Sequence, residues 1–382
     1  LRSFTFTTIF LILALFCGYS VVGGTPWESE FGTYWAATRL LISGLNPYDP
    51  ATLREWCTAH GIHFTGPLHP PPFTVIMLAP FAALPFHTAA RAFFTVNLIA
   101  TALSAEIARK ILGLHHRSLI NYAAPALFLP SILPILFGQT SSLVTLALYA
   151  AILSAMRDRW AWAGALLGMA LLKPHLWSIT GLYFLIRCPA DQRSRFICGG
   201  LAVLAILLGI STIASPDSLT QWLSTSARPL SWIGASPISS VRLALGTPSH
   251  PYPQWPIYVA ILAALVVAIF LSVRQKTQGL NLRTLLATLC LSAIFAPYLF
   301  FFDLCVLLVV AMHSLERFSS PSPRICGSRF GFLFLITPWV LFISGMWAKE
   351  TGIVTILGLF SLLDGICSPR QRPPSSASDA PA

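Results

Sequence analysis

Charge is what this chain has least of. Only 10% of its 382 residues are Asp, Glu, Lys or Arg, against about 25% in a soluble globular domain. That shortage excludes an ordinary water-facing surface over so long a chain. Its cysteines, Cys17, Cys57, Cys188, Cys198, Cys290, Cys305, Cys326 and Cys367, form no CxxC pair. Scattered in this way they spell neither a zinc site nor a disulfide framework. Cys57 alone is expected on the outer side, so no disulfide is expected there. GxGxxG and P-loop patterns are lacking too, and with them the usual cradle for nucleotide phosphates. No Asn-x-Ser/Thr acceptor occurs.

Apolar residues make up 55% of the chain, and its mean hydropathy is +0.72. They come in long runs. Residues 4–22, FTFTTIFLILALFCGYSVV, carry no charge and match the roughly 20 residues that cross a bilayer as a helix. Arg2 precedes this run, as in a signal peptide, but no small-x-small cleavage site follows and the chain behind it stays apolar. It reads as a retained first span. The net charge of +11 would suggest nucleic acid in a soluble protein. Here the cations sit in short clusters between apolar runs, as the positive-inside rule expects, and no nucleic-acid partner is expected.

Taking those clusters as cytoplasmic, residues 4–22, 118–137, 197–214 and 330–347 run outward. Residues 88–108, 140–156, 257–273 and 351–366 return. Segments 160–186 and 284–313 each lie between two basic clusters, too long for one span and too short for two. Each has a proline near its middle, at Lys173-Pro174 and Pro297-Tyr298, and proline breaks the helix ladder. They read as broken or re-entrant hairpins, with a kinked single span as the alternative. The expected fold class is therefore an all-α, polytopic membrane helical bundle. It has about eight full spans plus two broken hairpins. A single membrane domain covers 1–367, and a disordered cytoplasmic tail covers 368–382.

Two loops face outside, 23–72 and 215–256. In the first, Ser29 and Gly44 bound a helix over about 30–43. Its Phe31, Tyr34, Trp35, Leu41 and Ile42 suggest a helix lying on the membrane surface. Asp49 caps a second helix that starts at Pro50 and that Gly61 ends. The apolar stretch 73–84 is too short to span and reads as interfacial or re-entrant.

Polar groups at membrane depth are costly and are functional candidates by default. Lys173, Asp303 and Gln139 all fall at the outer rim of the bundle on this topology, on the side of Glu28 and Glu30. A lysine beside an unwound helix end can bind a phosphate, and a carboxylate can take a proton from a hydroxyl. Together they suit attack by an alcohol on a group carried on a lipid phosphate. Arg228 and Arg242 are placed to assist, and His175 to hydrogen-bond a sugar or phosphate. Plainer readings stand beside these. Glu28 and Glu30 can simply satisfy a helix start, Lys173 and Asp303 can be a structural ion pair, and His175 can be structural. His60, His63 and His69 are irregularly spaced and form a poor metal set. No metal or cofactor is expected.

The stretches SEFGTYWAATRLLISGLNPYDP at 29–50, HPPPFTVIMLAPFAALP at 69–85, FGQTSSL at 137–143, GALLGMALLKPHLW at 164–177 and APYLFFFDL at 296–304, in this order and spacing, resemble glycosyltransferase family 87. These are the polyprenyl-phosphate-mannose-dependent mannosyltransferases of the GT-C superfamily. The resemblance implies a multi-pass enzyme of the cell (inner) membrane with its active site facing the periplasm or outside. It implies a sugar, usually mannose, taken from a polyprenyl monophosphate donor, a lipid-linked or surface glycan acceptor, and inversion at the anomeric carbon. The family's acid at the start of the first outer loop is usually Asp in an Asp-Phe pair, and here the position reads Glu30-Phe31. The extra methylene moves the carboxylate by about 1 Å, a displacement that can cost about 100-fold in rate. Glu30 and Glu28 are the catalytic candidates. Lys173, His175, Gln139, Asp303, Tyr48, Asp49, Arg228 and Arg242 are the substrate- and phosphate-binding candidates.

Broken helices with a buried lysine and aspartate also suit alternating access in a lipid or glycan transporter. The ordered outer loop and the lack of visible inverted repeats weigh against it. A non-catalytic membrane assembly protein that has kept the fold and lost the base is the third reading.

Overall fold

Every regular element in the described residues is helical, and prolines interrupt several of the apolar runs. The computed structural model describes residues 2–22, 29–114, 119–226, 280–296, 299–319, 325–344 and 351–363, with four isolated positions between 263 and 270. The first helices are α1 (Arg2–Val22), α2 (Ser29–Ile42), α3 (Pro50–Ala59), α4 (Pro72–Ile76), α5 (Ala79–Ala82) and α6 (Phe86–Leu112). The middle of the chain holds α7 (Leu119–Leu127), α8 (Leu133–Leu136), α9 (Ser141–Met156), α10 (Trp160–Met169), α11 (Ser178–Arg187), α12 (Ala190–Ala214) and α13 (Ser218–Ser226). The last are α14 (Leu282–Ile294), α15 (Leu308–Ser319), α16 (Ile325–Ile343) and α17 (Thr351–Leu363).

Among the described residues two helices are long and apolar enough to cross a membrane, Phe86–Leu112 and Ala190–Ala214. This corrects the expectation of about eight full spans. Shorter apolar helices, such as Ser141–Met156, Leu282–Ile294 and Phe330–Ile343, take the other places. The expected span 118–137 shows why. Pro125 lies inside α7, Pro130 sits in a 3₁₀ turn at Leu129–Ser131, and Pro134 starts α8. Each removes a backbone donor, and α7 ends two residues after Pro125. All but four positions of the expected span 257–273, and the whole tail 368–382, lie outside the described residues.

The expected helix break at Lys173-Pro174 is present, while Pro297-Tyr298 lies outside the described residues. After α10 the chain makes a 3₁₀ turn at Ala170–Leu172 and then extends at Lys173 (φ −143°, ψ 76°). A second 3₁₀ turn, Pro174–Leu176, leads into α11. A residue before proline is pushed out of the helical region by the proline ring, so Pro174 dictates the conformation of Lys173. Beyond α14 a 3₁₀ segment, Phe301–Leu307, feeds directly into α15.

Two large apolar cores result among the described residues, with a small third cluster at Ile179 and Leu291. The larger runs through α1, α6 to α12 and α14 to α17. The second is built from the segment 31–93: Phe31, Trp35 and Leu41 of α2, Leu53 and Cys57 of α3, Val75 of α4 and Phe93 of α6. This corrects the reading of α2 as a surface helix. Phe31, Tyr34, Trp35, Ala36, Ala37, Thr38, Leu40 and Leu41 are all buried. A helix apolar on nearly every side has no polar face to show to headgroups and is enclosed by protein instead. Phe31 stacks on Phe93 at 4.7 Å, and Trp35 leans on Trp56 and Phe86 at 5.6 Å. The same core encloses 73–84, which forms α4 and α5. The Cys57 thiol is free and buried.

α10 and α12 meet through glycine. A Cβ at Gly164 would lie 1.9 Å from the Phe196 carbonyl oxygen, and one at Gly199 would lie 2.3 Å from that of Ala161. Small residues at such crossings let membrane helices approach backbone to backbone. Gly164→Ala gains about 1 kcal/mol of helix propensity but forces the helices apart, at about 1–3 kcal/mol for overpacking. The clash is with rigid backbone, so a net fall in melting temperature in detergent is the expected result. An unchanged or higher melting temperature would show that the crossing has slack.

Candidate active site

A cavity of about 120 Å³ opens where the two cores meet. Its walls include Glu30, Thr33 and Tyr34 of α2, the loop from Thr65 to Pro70, Gln139, Leu172, Lys173, Phe300 and Phe302. Four of the sequence-derived groups belong to this place. Glu30, Gln139 and Lys173 line it, and Asp303 sits directly behind Lys173.

The Lys173 ammonium is the hub. Its Nζ donates to Asp303 Oδ1 at 2.7 Å, to Ser141 Oγ at 2.9 Å and to Gln139 Oε1 at 3.2 Å. Those contacts use its three donors. Ser141 in turn donates to Asp303 Oδ1 at 2.7 Å, and the other carboxylate oxygen accepts the Phe300 N–H at 3.2 Å. Asp303 is fully buried and Lys173 nearly so. The Phe302 ring lies 4.9 Å from the lysine nitrogen, within range for a cation–π contact. Local structure delivers each partner. Gly138 adopts φ +64°, which turns the chain so that Gln139 and Ser141 open α9. Pro174 leaves Lys173 at the end of an interrupted helix.

Gln139 is oriented by its neighbours. Its Oε1 also accepts from the Tyr34 hydroxyl at 3.1 Å. Lysine only donates, so the atom facing it is the carbonyl oxygen, and the amide NH₂ points the other way.

Glu30 stands in the first turn of α2, where a carboxylate suits the free N–H groups of a helix start. Its Oε2 is 3.5 Å from the Thr65 hydroxyl. That hydroxyl pairs with Thr33 Oγ1 at 2.8 Å, and the Thr65 N–H donates to Thr33 at 3.3 Å. Burial raises the Glu30 carboxyl above its ordinary value. The charge of Lys173 and the Thr65 hydroxyl pull it back, while the charge of Asp303 adds to the rise. Two carboxylates and one lysine therefore share the site.

Other candidates fall elsewhere. His175 is buried with Nε2 3.9 Å from Asp303 Oδ2, behind the carboxylate and outside the cavity lining. Asp49 caps α3, accepting from Thr52 N at 3.1 Å and Thr52 Oγ1 at 2.6 Å. The Tyr48 hydroxyl donates to the Pro70 carbonyl at 2.9 Å. Neither lines the cavity; Tyr48 braces the loop that does. Glu28, Arg228 and Arg242 lie outside the described residues. Ser141, Thr33, Thr65, Phe302 and His69 joined the site without having been singled out. Ser141 and Thr33 stood inside FGQTSSL and SEFGTYW, but serine and threonine at helix starts are ordinary caps.

No curated protein and no solved structure matches this chain. A family model described as glycosyltransferase family 87 matches residues 69–302, from the loop that forms one cavity wall to the residue before Asp303. Gln139, Ser141 and Lys173 all lie within it; Glu30 precedes it. With more than half of its length matched in this way, the chain belongs to glycosyltransferase family 87.

Proposed function

We propose that this protein transfers a hexose, mannose in the first instance, from a polyprenyl monophosphate to a lipid-linked or surface glycan, inverting the anomeric carbon. Membership of the family implies a polyprenyl-phosphate sugar donor and a glycan or lipid acceptor. The two apolar helices support residence in a membrane. We read the protein as multi-pass in the cell membrane, with the cavity toward the outer side. The observation that carries the chemistry is that Glu30 and Lys173, far apart in the sequence, line one cavity.

In this reading Glu30 takes the proton of an acceptor hydroxyl. The oxygen attacks the anomeric carbon from the face opposite the phosphate. The bond from that carbon to the phosphate oxygen breaks, and polyprenyl phosphate leaves with the electron pair. Phosphate is a good leaving group, so a single carboxylate suffices where glycoside hydrolysis needs two. Lys173 steadies the departing charge. Its three donors are already engaged, so a phosphate oxygen displaces the longest contact, to Gln139. The lysine charge is also shared with Asp303, which leaves work for a further cation such as Arg228 or Arg242.

The test is purified protein in nanodiscs given polyprenyl-phosphate mannose and an acceptor, with the anomeric configuration of the product read by NMR. A product with the donor's own configuration would sink the single-displacement scheme. The pH profile gives a second check. Only ionised Glu30 accepts a proton, and burial lifts its pKa above the ordinary 4.5. The acid limb of kcat/KM should therefore lie above pH 4.5, with activity falling as pH drops through it. A profile flat down to pH 4.5 would remove Glu30 as the base.

A further inference from the structure

The amide NH₂ of Gln139 is a pair of donors left over in the cavity wall. The oxygen of the same amide is fully engaged. It accepts from Lys173 Nζ at 3.2 Å and from the Tyr34 hydroxyl at 3.1 Å, and these two contacts fix which way the group faces. The residue is almost wholly buried and lines the cavity. Among the described residues its Nε2 has no hydrogen-bond partner, and the atom is still open to solvent. The backbone beneath it is held in place. Gly138 turns the chain at φ +64°, and the Gln139 N–H donates to the Pro134 carbonyl at 2.8 Å. A fixed backbone and a fixed oxygen together aim the NH₂.

Nε2 shares a carbon with Oε1, so it lies beside Lys173 Nζ. Two donors so placed can hold two oxygens of one phosphate. Glu30 and Asp303 only accept hydrogen bonds while ionised. The Thr33 and Thr65 hydroxyls pair with each other and lie toward Glu30, and the Tyr34 hydroxyl is given to Gln139. Binding then changes what holds the amide. When a phosphate oxygen takes the Lys173 contact, Oε1 keeps the Tyr34 hydroxyl alone of its two donors. Without that bond the amide is free to swing its oxygen toward the phosphate, and two acceptors repel.

We propose that Gln139 donates from its amide N–H to a phosphate oxygen of the polyprenyl-phosphate donor, with Tyr34 as the residue that positions it. This rests on the transfer reaction above and names how the carrier's phosphate is held beside Lys173. A hydrogen bond to a charged group is stronger than one between neutral groups, so the contact gains as charge gathers on the leaving phosphate. A plain strut between α2 and Lys173 needs the Gln139 oxygen and has no use for its NH₂.

The experiment reads donor, carrier and acceptor separately. It measures kcat/KM for the polyprenyl-phosphate hexose that wild type turns over fastest, the inhibition constant of sugar-free polyprenyl monophosphate, and KM for the acceptor. The proteins are wild type, Gln139→Leu, Gln139→Glu, Tyr34→Phe and the Tyr34→Phe, Gln139→Leu double variant, each with a melting curve. Gln139→Leu should lose about 10- to 100-fold in donor kcat/KM and weaken inhibition by polyprenyl monophosphate in step, with acceptor KM unchanged. Gln139→Glu keeps an oxygen for Tyr34 and Lys173 but has no N–H, and should lose at least as much. Inhibition at the wild-type level in that variant would make the residue a strut and overturn the proposal. Tyr34→Phe should lose about 3- to 10-fold, and nothing more when added to Gln139→Leu, because it acts through the amide. Losses that multiply in the double variant, or that fall equally on acceptor KM, would overturn it too. Should Gln139→Leu fail to fold, Gln139→Glu and Tyr34→Phe decide: an unchanged inhibition constant in either overturns it. A wild type that turns over no polyprenyl-phosphate hexose sinks the donor reading, and the roles of Gln139 and Tyr34 with it. An active wild type with unaltered inhibition in the variants sinks those two roles alone.

Discussion

Glu30→Gln is expected to abolish sugar transfer and, at neutral pH, to raise the melting temperature. The first half follows from the proposed role. A positioned general base contributes about 10²–10⁴-fold, and glutamine cannot take the proton. The second half follows from burial. Folding raises the Glu30 pKa above 4.5, with desolvation as the largest cause. The folded state therefore holds that proton more tightly than the unfolded chain does. The stability this gives is fully present below pH 4.5 and is lost as pH rises through the raised folded value. At neutral pH the ionised carboxylate works against the fold. Glutamine removes that charge and forfeits little, since the hydrogen bond from Thr65 is 3.5 Å long and Lys173 keeps Asp303. Melting curves in detergent at two pH values make the test. The advantage of the variant should grow between pH 5 and pH 7.5. A variant that melts lower at pH 7.5 would mean that attraction to Lys173 outweighs burial, and Glu30 would then be a structural anion.

The largest loss of stability is expected from breaking the Lys173–Asp303 pair on one side. Lys173→Met leaves a fully buried carboxylate with the Ser141 hydroxyl and the Phe300 N–H as donors and the His175 imidazole 3.9 Å away. Removing one partner of a buried pair costs about 3–5 kcal/mol, because the other charge is left without compensation. Asp303→Asn strands the ammonium in the same way. Replacing both, as Lys173→Met with Asp303→Leu, removes the charges together and should recover most of that stability, since buried pairs often do no better than apolar groups of similar size. Transfer should stay lost in all three. Unfolding in a double-mutant cycle measures the coupling. A Lys173→Met protein that melts with wild type would show the pair to be solvated, and its role in placing the cavity wall would fall.

Local features of this fold were legible wherever a residue dictates its own backbone. Gly44 ends α2 at φ +73° and Gly61 follows α3 at φ +65°. Asp49 caps α3 with Pro50 at its first position, and Pro174 interrupts the helix at Lys173. Pattern reading failed where tertiary surroundings decide. The aromatic residues of α2 fit a membrane surface as well as a protein core, and only the packing of α3 to α6 around them settles which. Apolar runs counted as spans ignored Pro125, Pro130 and Pro134, which cut one of them into three pieces. In the site, ionisable residues announced themselves by their cost at membrane depth. Ser141, Thr33 and Thr65 carry no such cost, so nothing in their own sequence marks them. His69 sat among histidines with no regular spacing.

The join between Lys173 and Asp303 spans 130 positions of chain, and synthesis runs in one direction. The lysine leaves the ribosome long before its counter-ion exists. Until then its ammonium has Gln139 and Ser141, made earlier, as acceptors and no counter-ion. The polar cluster around Lys173 is therefore complete only when Phe301–Leu307 arrives beside α9. A nascent protein halted before that point carries a cation whose counter-ion has not been made.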